Sequence, residues 1–359
     1  MHPPTGASTH SQRITPRPRE AEPVPRFAAI GLDHRHIYDL TQDLLDEGAE
    51  CVGYNPDTTD PRVLAGFQKR FPHVPAAEAA RLLDDASIDF VVIAARPCDR
   101  AELAIAAMRR GKDVMVDKPG ITTREQLDAV ERAVAETGRI WSIALGRIGS
   151  PAVQEALRIV RSGEVGRLVQ TTALLPHRLN RALRPSWFFD RLAYGGIIND
   201  IGVHAVDQFL AFADASEAEI VLSSISAFGT EPEGFEDFAE LVLATPSVRG
   251  YVRLDWFTPA GLPTWGDGRF FVVGTEGTLE LRKNLDIEGR EGTDHLFVAN
   301  RTSTRYVDCS KMPVTYYRDF LRDIADRTET SMPQRQVFAV CRLALQAQAQ
   351  AIRYTARRP

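Results

Sequence analysis

From residue 27 onward, short runs of consecutive apolar residues alternate with stretches whose apolar positions recur every three or four residues. The apolar runs fall at 27–31, 50–54, 90–94, 113–116 and 140–145. The helical-period stretches between them fall at 36–47, 61–70, 77–84, 100–110 and 124–137, with Gly111 and Gly138 as stop signals for the last two. Strands that are apolar throughout are buried on both faces. The alternation therefore predicts a doubly wound parallel sheet covered by helices on both sides, an α/β domain over 27–147.

The pattern changes after residue 147. A helix is predicted at 151–161 and a strand at 167–175. A further helix runs from Gly195 to about residue 212. Strand-like runs follow at 219–228, 238–244, 249–257, 269–273 and 278–281, and helices at 314–327 and 334–353. Short connections point to an α+β domain over 148–359 with an open, mainly antiparallel sheet. Its last helix is expected to return near the first domain. A wide apolar sheet face rarely stays wet, so its uncovered side is expected to join a partner subunit in a homodimer or homotetramer.

Composition narrows the function classes. A formal charge of -5 favours neither nucleic acid nor an anionic membrane surface, and no apolar run approaches the roughly 20 residues that span a bilayer. Cys51, Cys98, Cys309 and Cys341 form no CxxC pair, which argues against a zinc cluster or a disulfide framework. No metal is expected, and a reducing, cytoplasmic setting fits. Residues 1–26 hold six prolines and no apolar segment, so they read as a disordered tail rather than a secretory signal.

Ligands of such sheets bind beyond the carboxyl ends of the strands. Gly31, Asn55, Ala95-Arg96-Pro97 and Lys118 all stand there. Strand, glycine turn, helix and strand within about 30 residues open a dinucleotide-binding unit. The turn itself is degenerate: in Gly31-Leu32-Asp33-His34-Arg35-His36 only the first glycine of Gly-x-Gly-x-x-Gly survives. Asp33 brings an acid towards the diphosphate position. Arg35, His34 and the helix N-terminus are expected to compensate. Asn55, with Asp57 two residues on, suits a ribose hydroxyl and leaves NAD and NADP undistinguished.

Lys118 closes an apolar strand and precedes Pro119, which biases it towards an extended backbone pointing into the crevice. An ammonium fixed there can stabilise charge on a substrate oxygen. In Gly195-Gly196-Ile197-Ile198-Asn199-Asp200-Ile201-Gly202-Val203-His204-Ala205-Val206-Asp207, the spacing puts Asp200 and His204 on one helix face and Ile198, Ile201, Ala205 and Phe209 on the core face. A histidine beside acids is suited to proton transfer near neutral pH. Asp207 reads as a structural acid. His177, Arg184 and Trp187, between the 167–175 strand and this helix, are candidate substrate contacts, as is Asn199. Arg184 and His177 would also suit a carboxylated substrate.

These motifs resemble the Gfo/Idh/MocA family of nicotinamide-dependent oxidoreductases. Asp117-Lys118-Pro119 matches its Glu-Lys-Pro signature with one conservative change, and Gly195 to Asp207 matches Gly-Gly-x-x-x-Asp-x-Gly-x-His-x-x-Asp in full. Gly274-Thr275-Glu276-Gly277-Thr278-Leu279 resembles the family's second-domain hairpin. The resemblance implies Lys118, Asp200 and His204 as catalytic residues. It implies a cofactor, NAD or NADP, over Gly31, Asp33, His34, Arg35, His36, Asn55, Ala95, Arg96, Pro97, Lys118 and Pro119. The implied reaction is hydride transfer with a secondary alcohol or ketone of a sugar, inositol, related polyol or sugar acid. In it, neutral His204 takes the hydroxyl proton, and Asp200 orients His204 or binds a neighbouring hydroxyl. One departure is Ala95-Arg96-Pro97-Cys98-Asp99-Arg100, where the family often has Thr-Pro-x-x-x-His. Two alternatives stay open: a glycosidase that uses NAD in a transient redox cycle, and a non-catalytic sensor or partner-binding protein on the same fold.

Overall fold

In a computed structural model, which describes residues 24–146, 149–229 and 232–355, Phe27, Ala28, Ala29 and Ile30 lie buried in an inner strand of a five-stranded sheet. The predicted tail lies, up to Pro23, outside the described residues. The strands are β1 (Arg26–Leu32), β2 (Glu50–Tyr54), β3 (Phe90–Ala94), β4 (Asp113–Asp117) and β5 (Trp141–Ala144). All neighbours pair in parallel, in the order β2-β1-β3-β4-β5. The helices between them are α1 (Ile37–Asp46), α2 (Pro61–Arg70), α3 (Ala79–Asp84), α4 (Arg100–Arg109) and α5 (Arg124–Thr137). Asp60 caps α2 through the Arg62 amide, Thr123 caps α5 through that of Gln126, and Gly138 ends α5 in the left-handed conformation.

A second sheet of nine strands follows. Its members are β6 (Leu168–Pro176), β7 (Glu219–Ala227), β8 (Phe238–Ala244), β9 (Arg249–Asp255), β10 (Arg269–Gly274), β11 (Gly277–Arg282), β12 (His295–Asn300), β13 (Thr304–Asp308) and β14 (Ile352–Thr355). The order is β13-β12-β11-β10-β6-β9-β8-β7-β14, antiparallel except for β6 with β9 and β14 with β7. The accompanying helices are α6 (Pro151–Arg161), the single turn α7 (Arg191–Tyr194), α8 (Val203–Phe212), α9 (Tyr316–Asp326) and α10 (Gln334–Gln350).

The structure adds to the predicted elements and trims one of them. The hairpin β12–β13 was not anticipated; its edge strand carries the polar residues Thr304, Arg305 and Asp308, which break the apolar pattern. The last helix ends at Gln350 rather than 353, and Ile352–Thr355 joins the sheet edge beside β7. The two closing helices lie against the first sheet. Phe320 meets Phe90 edge-on at 5.6 Å, and Phe338 stacks on Trp141 at 5.8 Å. Gln334 exchanges two hydrogen bonds with the Trp141 backbone, each 3.0 Å. Its carboxamide thus acts as one more strand residue for the exposed edge of β5.

Candidate active site

Four segments bring polar groups to the carboxyl edge of the parallel sheet. Lys118 follows β4 directly, through a cis bond to Pro119. Gly146 lies just beyond β5. Asp200 stands in a π turn, Ile198–Gly202, which runs into α8, and His204 is in the first turn of α8. Such wide turns are rare and recur at functional sites.

This turn is seated by two buried side chains. Glu236 accepts from the Ile197 amide at 2.8 Å, and Gln348 Oε1 accepts from Ile198 and Asn199 at 2.9 and 3.3 Å. Together they satisfy amides that a helix N-terminus leaves without acceptors. Gly196, at φ +94°, passes so near Gln348 that a β-carbon would lie 2.4 Å from its carboxamide carbon.

Lys118 Nζ donates to Asp200 Oδ1 at 2.8 Å and to the Asp200 carbonyl oxygen at 3.2 Å. The two side chains are 11% and 8% exposed, so little water screens the pair. Burial opposes ionisation of Asp200, yet Lys118, with help from Arg184, holds its pKa below the ordinary value. Asp200 Oδ2 has no hydrogen-bond partner among the described residues and remains a spare acceptor.

The expected pairing of Asp200 with His204 is corrected here. A carboxylate bonds an ammonium more strongly than a neutral imidazole, and Lys118 takes it. His204 is oriented instead by the Gly146 amide, which donates to its Nδ1 at 2.9 Å. An amide N–H can only donate, so the neutral ring carries its proton on Nε2. Burial, then the fields of Lys118 and Lys283, hold the His204 pKa well below its usual range. In this tautomer His204 offers a hydrogen-bond donor at Nε2 rather than a lone pair.

His177 is its complement. Its Nδ1 donates to the Leu175 carbonyl at 3.1 Å, leaving a lone pair on Nε2. Burial, assisted by Lys118, lowers its pKa to about 3. Arg184 donates through Nε to Leu179 O and lays its guanidinium over Phe188 at 4.3 Å and Trp256 at 5.1 Å. Trp187 is buried and meets His34 edge-on at 6.3 Å. Asn199 departs from expectation: it is 1% exposed and its Nδ2 donates to Ile121 O at 2.7 Å, so it is a strut beneath the turn rather than a substrate contact. Asp207 is fully buried.

The glycine turn shows how its acid is accommodated. Asp33 Oδ1 accepts from Thr58 Oγ1, the Thr59 amide and Thr59 Oγ1 at 3.0, 2.5 and 2.8 Å, and Oδ2 from the Arg96 amide at 3.3 Å. The carboxylate is thus turned into the loop after β2. Gly31, at φ +70°, would bring a β-carbon within 2.5 Å of Ala95 Cβ, so the turn needs that glycine. Asn55 Nδ2 reaches Asp57 Oδ2 at 3.3 Å at the end of β2.

His34 does not compensate for Asp33 as a cation. It donates Nδ1 to Asp117 Oδ2 at 2.8 Å, and burial, then His36, lowers its pKa to about 3. His36 Nδ1 lies 2.9 Å from Asp117 Oδ1. Arg100, fully buried, donates to Asp117 Oδ2 at 2.8 Å and to the Pro119 carbonyl at 2.9 Å. Burial penalises the Asp117 charge, but Arg100 and the two histidines hold its pKa well below the carboxylate range. Asp117 therefore ties the glycine turn to the strand end that carries Lys118. The cation left at the head of α1 is Arg35, which is exposed.

These residues fit a dinucleotide. Arg35 stands exposed at the head of α1, the Asp33 carboxylate is satisfied by donors of Thr58, Thr59 and Arg96, and Asn55 stands at the end of β2. Sequence reasoning missed Arg100, Glu236, Gln348 and Lys283. Each acts on a residue far away in the chain, and no local spacing marks such partners.

Comparisons with known proteins agree with this arrangement. Residues 55–145 match the model of the oxidoreductase family with an NAD-binding Rossmann fold, a match that starts past the degenerate turn, and residues 153–280 match the GFO/IDH/MocA C-terminal domain. A proposed oxidoreductase from Erwinia carotovora atroseptica is 42% identical, with a TM-score of 0.87 over 92% of this chain and 99% of that one. Inositol 2-dehydrogenase 2 from Saccharopolyspora erythraea is 29% identical over 229 residues, 63% of this chain and 64% of its own. A 1,5-anhydro-D-fructose reductase from Ensifer adhaerens is 32% identical over 222 residues, 59% of this chain and 62% of its own. The chain thus spans less than two thirds of the length of these two curated relatives. The crystal structure of a levoglucosan dehydrogenase with NADH and levoglucosan shares the fold, with a TM-score of 0.73 over 91% of this chain and 98% of that one, at 19% identity. The chain belongs to the Gfo/Idh/MocA family of oxidoreductases, with an NAD-binding Rossmann fold followed by that family's C-terminal domain.

Proposed function

We propose that the protein exchanges hydride reversibly between a nicotinamide dinucleotide and a secondary alcohol or ketone of a sugar, inositol, related polyol or sugar acid. The observation that carries this reading is the nearly dry Lys118–Asp200 pair beside neutral His204, at the carboxyl edge of the cofactor-type sheet. A bound nicotinamide ring supplies the hydride acceptor or donor. The chain's own residues manage the substrate oxygen. Lys118 Nζ and His204 Nε2–H donate hydrogen bonds to it and stabilise the negative charge that grows there in reduction. His204 cannot accept a second proton on Nδ1 while Gly146 donates to it, so net proton exchange falls to Lys118, with Asp200 beside it. His177 Nε2 and Asp200 Oδ2 accept from neighbouring hydroxyls. Arg184 and Trp187 close the substrate side.

In this reading residues 27–147 hold the cofactor and 148–359 the substrate. Among the described residues no helix is long and apolar enough to cross a membrane. The four cysteines are unpaired, which supports a reducing, cytoplasmic setting. Leu174, Phe238, Phe257 and Phe271 on the uncovered face of the second sheet support its use as a subunit interface.

The test is a titration of purified protein with NADH and NADPH by nicotinamide fluorescence, then turnover on sugars, inositols and sugar acids. Binding of neither cofactor at millimolar concentration would overturn the reading in favour of a non-catalytic protein. Release of a free sugar without net reduced cofactor would assign the glycosidase chemistry instead.

A further inference from the structure

The charges around the reacting position do not balance. Lys118 and Asp200 neutralise each other, and His177 and His204 are neutral. Two further cations act on these groups, Arg184 on Asp200 and Lys283 on Lys118, with Lys283 itself in the field of Asp294. The field of Lys283 also reaches His177 and His204.

Lys283 follows β11 directly; the residue reaches the surface, while packing around its ammonium lowers its pKa. Its Nζ lies 5.1 Å from the centroid of the Trp265 ring and, among the described residues, makes no hydrogen bond or ion pair. Trp265 is 44% exposed, and its ring lies 4.6 Å from that of His177. Behind His177, at 5.3 Å, stands buried Trp256, on whose other side Arg184 is stacked. The acid nearest in effect to Lys283 is Asp294, and both of its carboxylate oxygens are engaged, by Ser150 Oγ at 2.6 Å and Thr293 Oγ1 at 2.9 Å. A half-exposed indole that carries an ammonium without a hydrogen-bond partner, beside the neutral acceptor His177, suits a polyhydroxylated ligand whose end is anionic.

Resting on the function proposed above, we infer that Lys283 and Trp265 form an anion subsite, and that the substrate is a polyol bearing a carboxylate or phosphate rather than a neutral sugar. Lys283 sets this specificity and takes no part in proton exchange. Nothing in the sequence pattern marked it. It lies past the end of a strand, in a segment without a motif.

Calorimetric titration of the NAD-loaded protein with D-gluconate, myo-inositol 1-phosphate and neutral myo-inositol tests this without requiring turnover. Failure of hydride transfer therefore leaves the result readable. The expected outcome is an anionic ligand bound at least roughly tenfold more tightly than myo-inositol. That ratio should fall by about the same factor in Lys283→Gln and return in Lys283→Arg. Preference for gluconate assigns the carboxylate, and preference for the phosphate ester assigns the phosphate. A ratio near one in the parent protein, or a ratio unchanged in Lys283→Gln, overturns the inference.

Discussion

Lys118 Nζ and Asp200 Oδ1 meet at 2.8 Å across the boundary between the two sheets, 82 residues apart in the chain. One follows a parallel strand of the first sheet and the other sits in a π turn leading into the second half. The Lys118 ammonium is thus held by a residue from the other half of the chain.

Removing either partner should stop chemistry before it stops folding. Lys118→Met and Asp200→Asn are each expected to lower kcat by roughly 10²–10⁴, with the circular dichroism spectrum kept. Near-parental turnover by either variant would remove the pair from the mechanism.

Loss of His204 should act differently. As a donor that does not titrate, it supports charge on the oxygen but sets no limb of the pH profile. His204→Gln should cost kcat at least about two decades while leaving the apparent pKa of the kcat limb in place. A limb that disappears in His204→Gln would restore the histidine as proton carrier.

The buried histidines predict acid sensitivity. His34 and His177 have native pKa values of about 3, below the 6.5 of an unfolded histidine. Between these values the unfolded chain binds more protons, so stability is lost as pH falls from 6.5 towards 3. The slope is about 1.4 kcal/mol per pH unit for each histidine. The depressed carboxylates Asp117 and Asp200 add their loss only below about pH 4. Urea unfolding measured from pH 7 to 4.5 should show the first window, and His34→Gln should make it shallower by about one proton. A flat profile would mean that these rings are charged in the native state.

Gly196→Ala should damage the turn beneath Asp200. Its φ of +94° and a contact of 2.4 Å with Gln348 leave no place for a methyl group. Strain and overpacking together should cost about 2–5 kcal/mol in chemical unfolding. Activity should fall more than the folded fraction does, because the Ile198 and Asn199 amides lose their acceptor. A variant as stable and active as the parent would contradict the seating role of Gln348.

Asp33→Ala should weaken cofactor binding although it removes an acid from the turn. Three donors in Thr58 and Thr59 lose their shared acceptor, so the loop after β2 is no longer tied to the glycine turn. The Kd for NADH, read by fluorescence, is expected to rise at least about tenfold. Tighter binding would show that repulsion by Asp33 outweighs its role in holding the loop.

The sequence by itself determined the parallel sheet, the mainly antiparallel sheet and the positions of Lys118, Asp200 and His204. Apolar periodicity and the two signatures are local properties of the chain, and burial follows them with little ambiguity. It misjudged what these groups bond to. Spacing along a helix put Asp200 beside His204, but an ammonium from another strand is the better partner for a carboxylate, and only the fold brings it there. The same holds for Asn199, spent on Ile121 O, and for His34, spent on Asp117. Arg100, Glu236, Gln348 and Lys283 were invisible for the converse reason. Their neighbourhoods carry no pattern, and their roles come from partners that the tertiary structure alone places beside them.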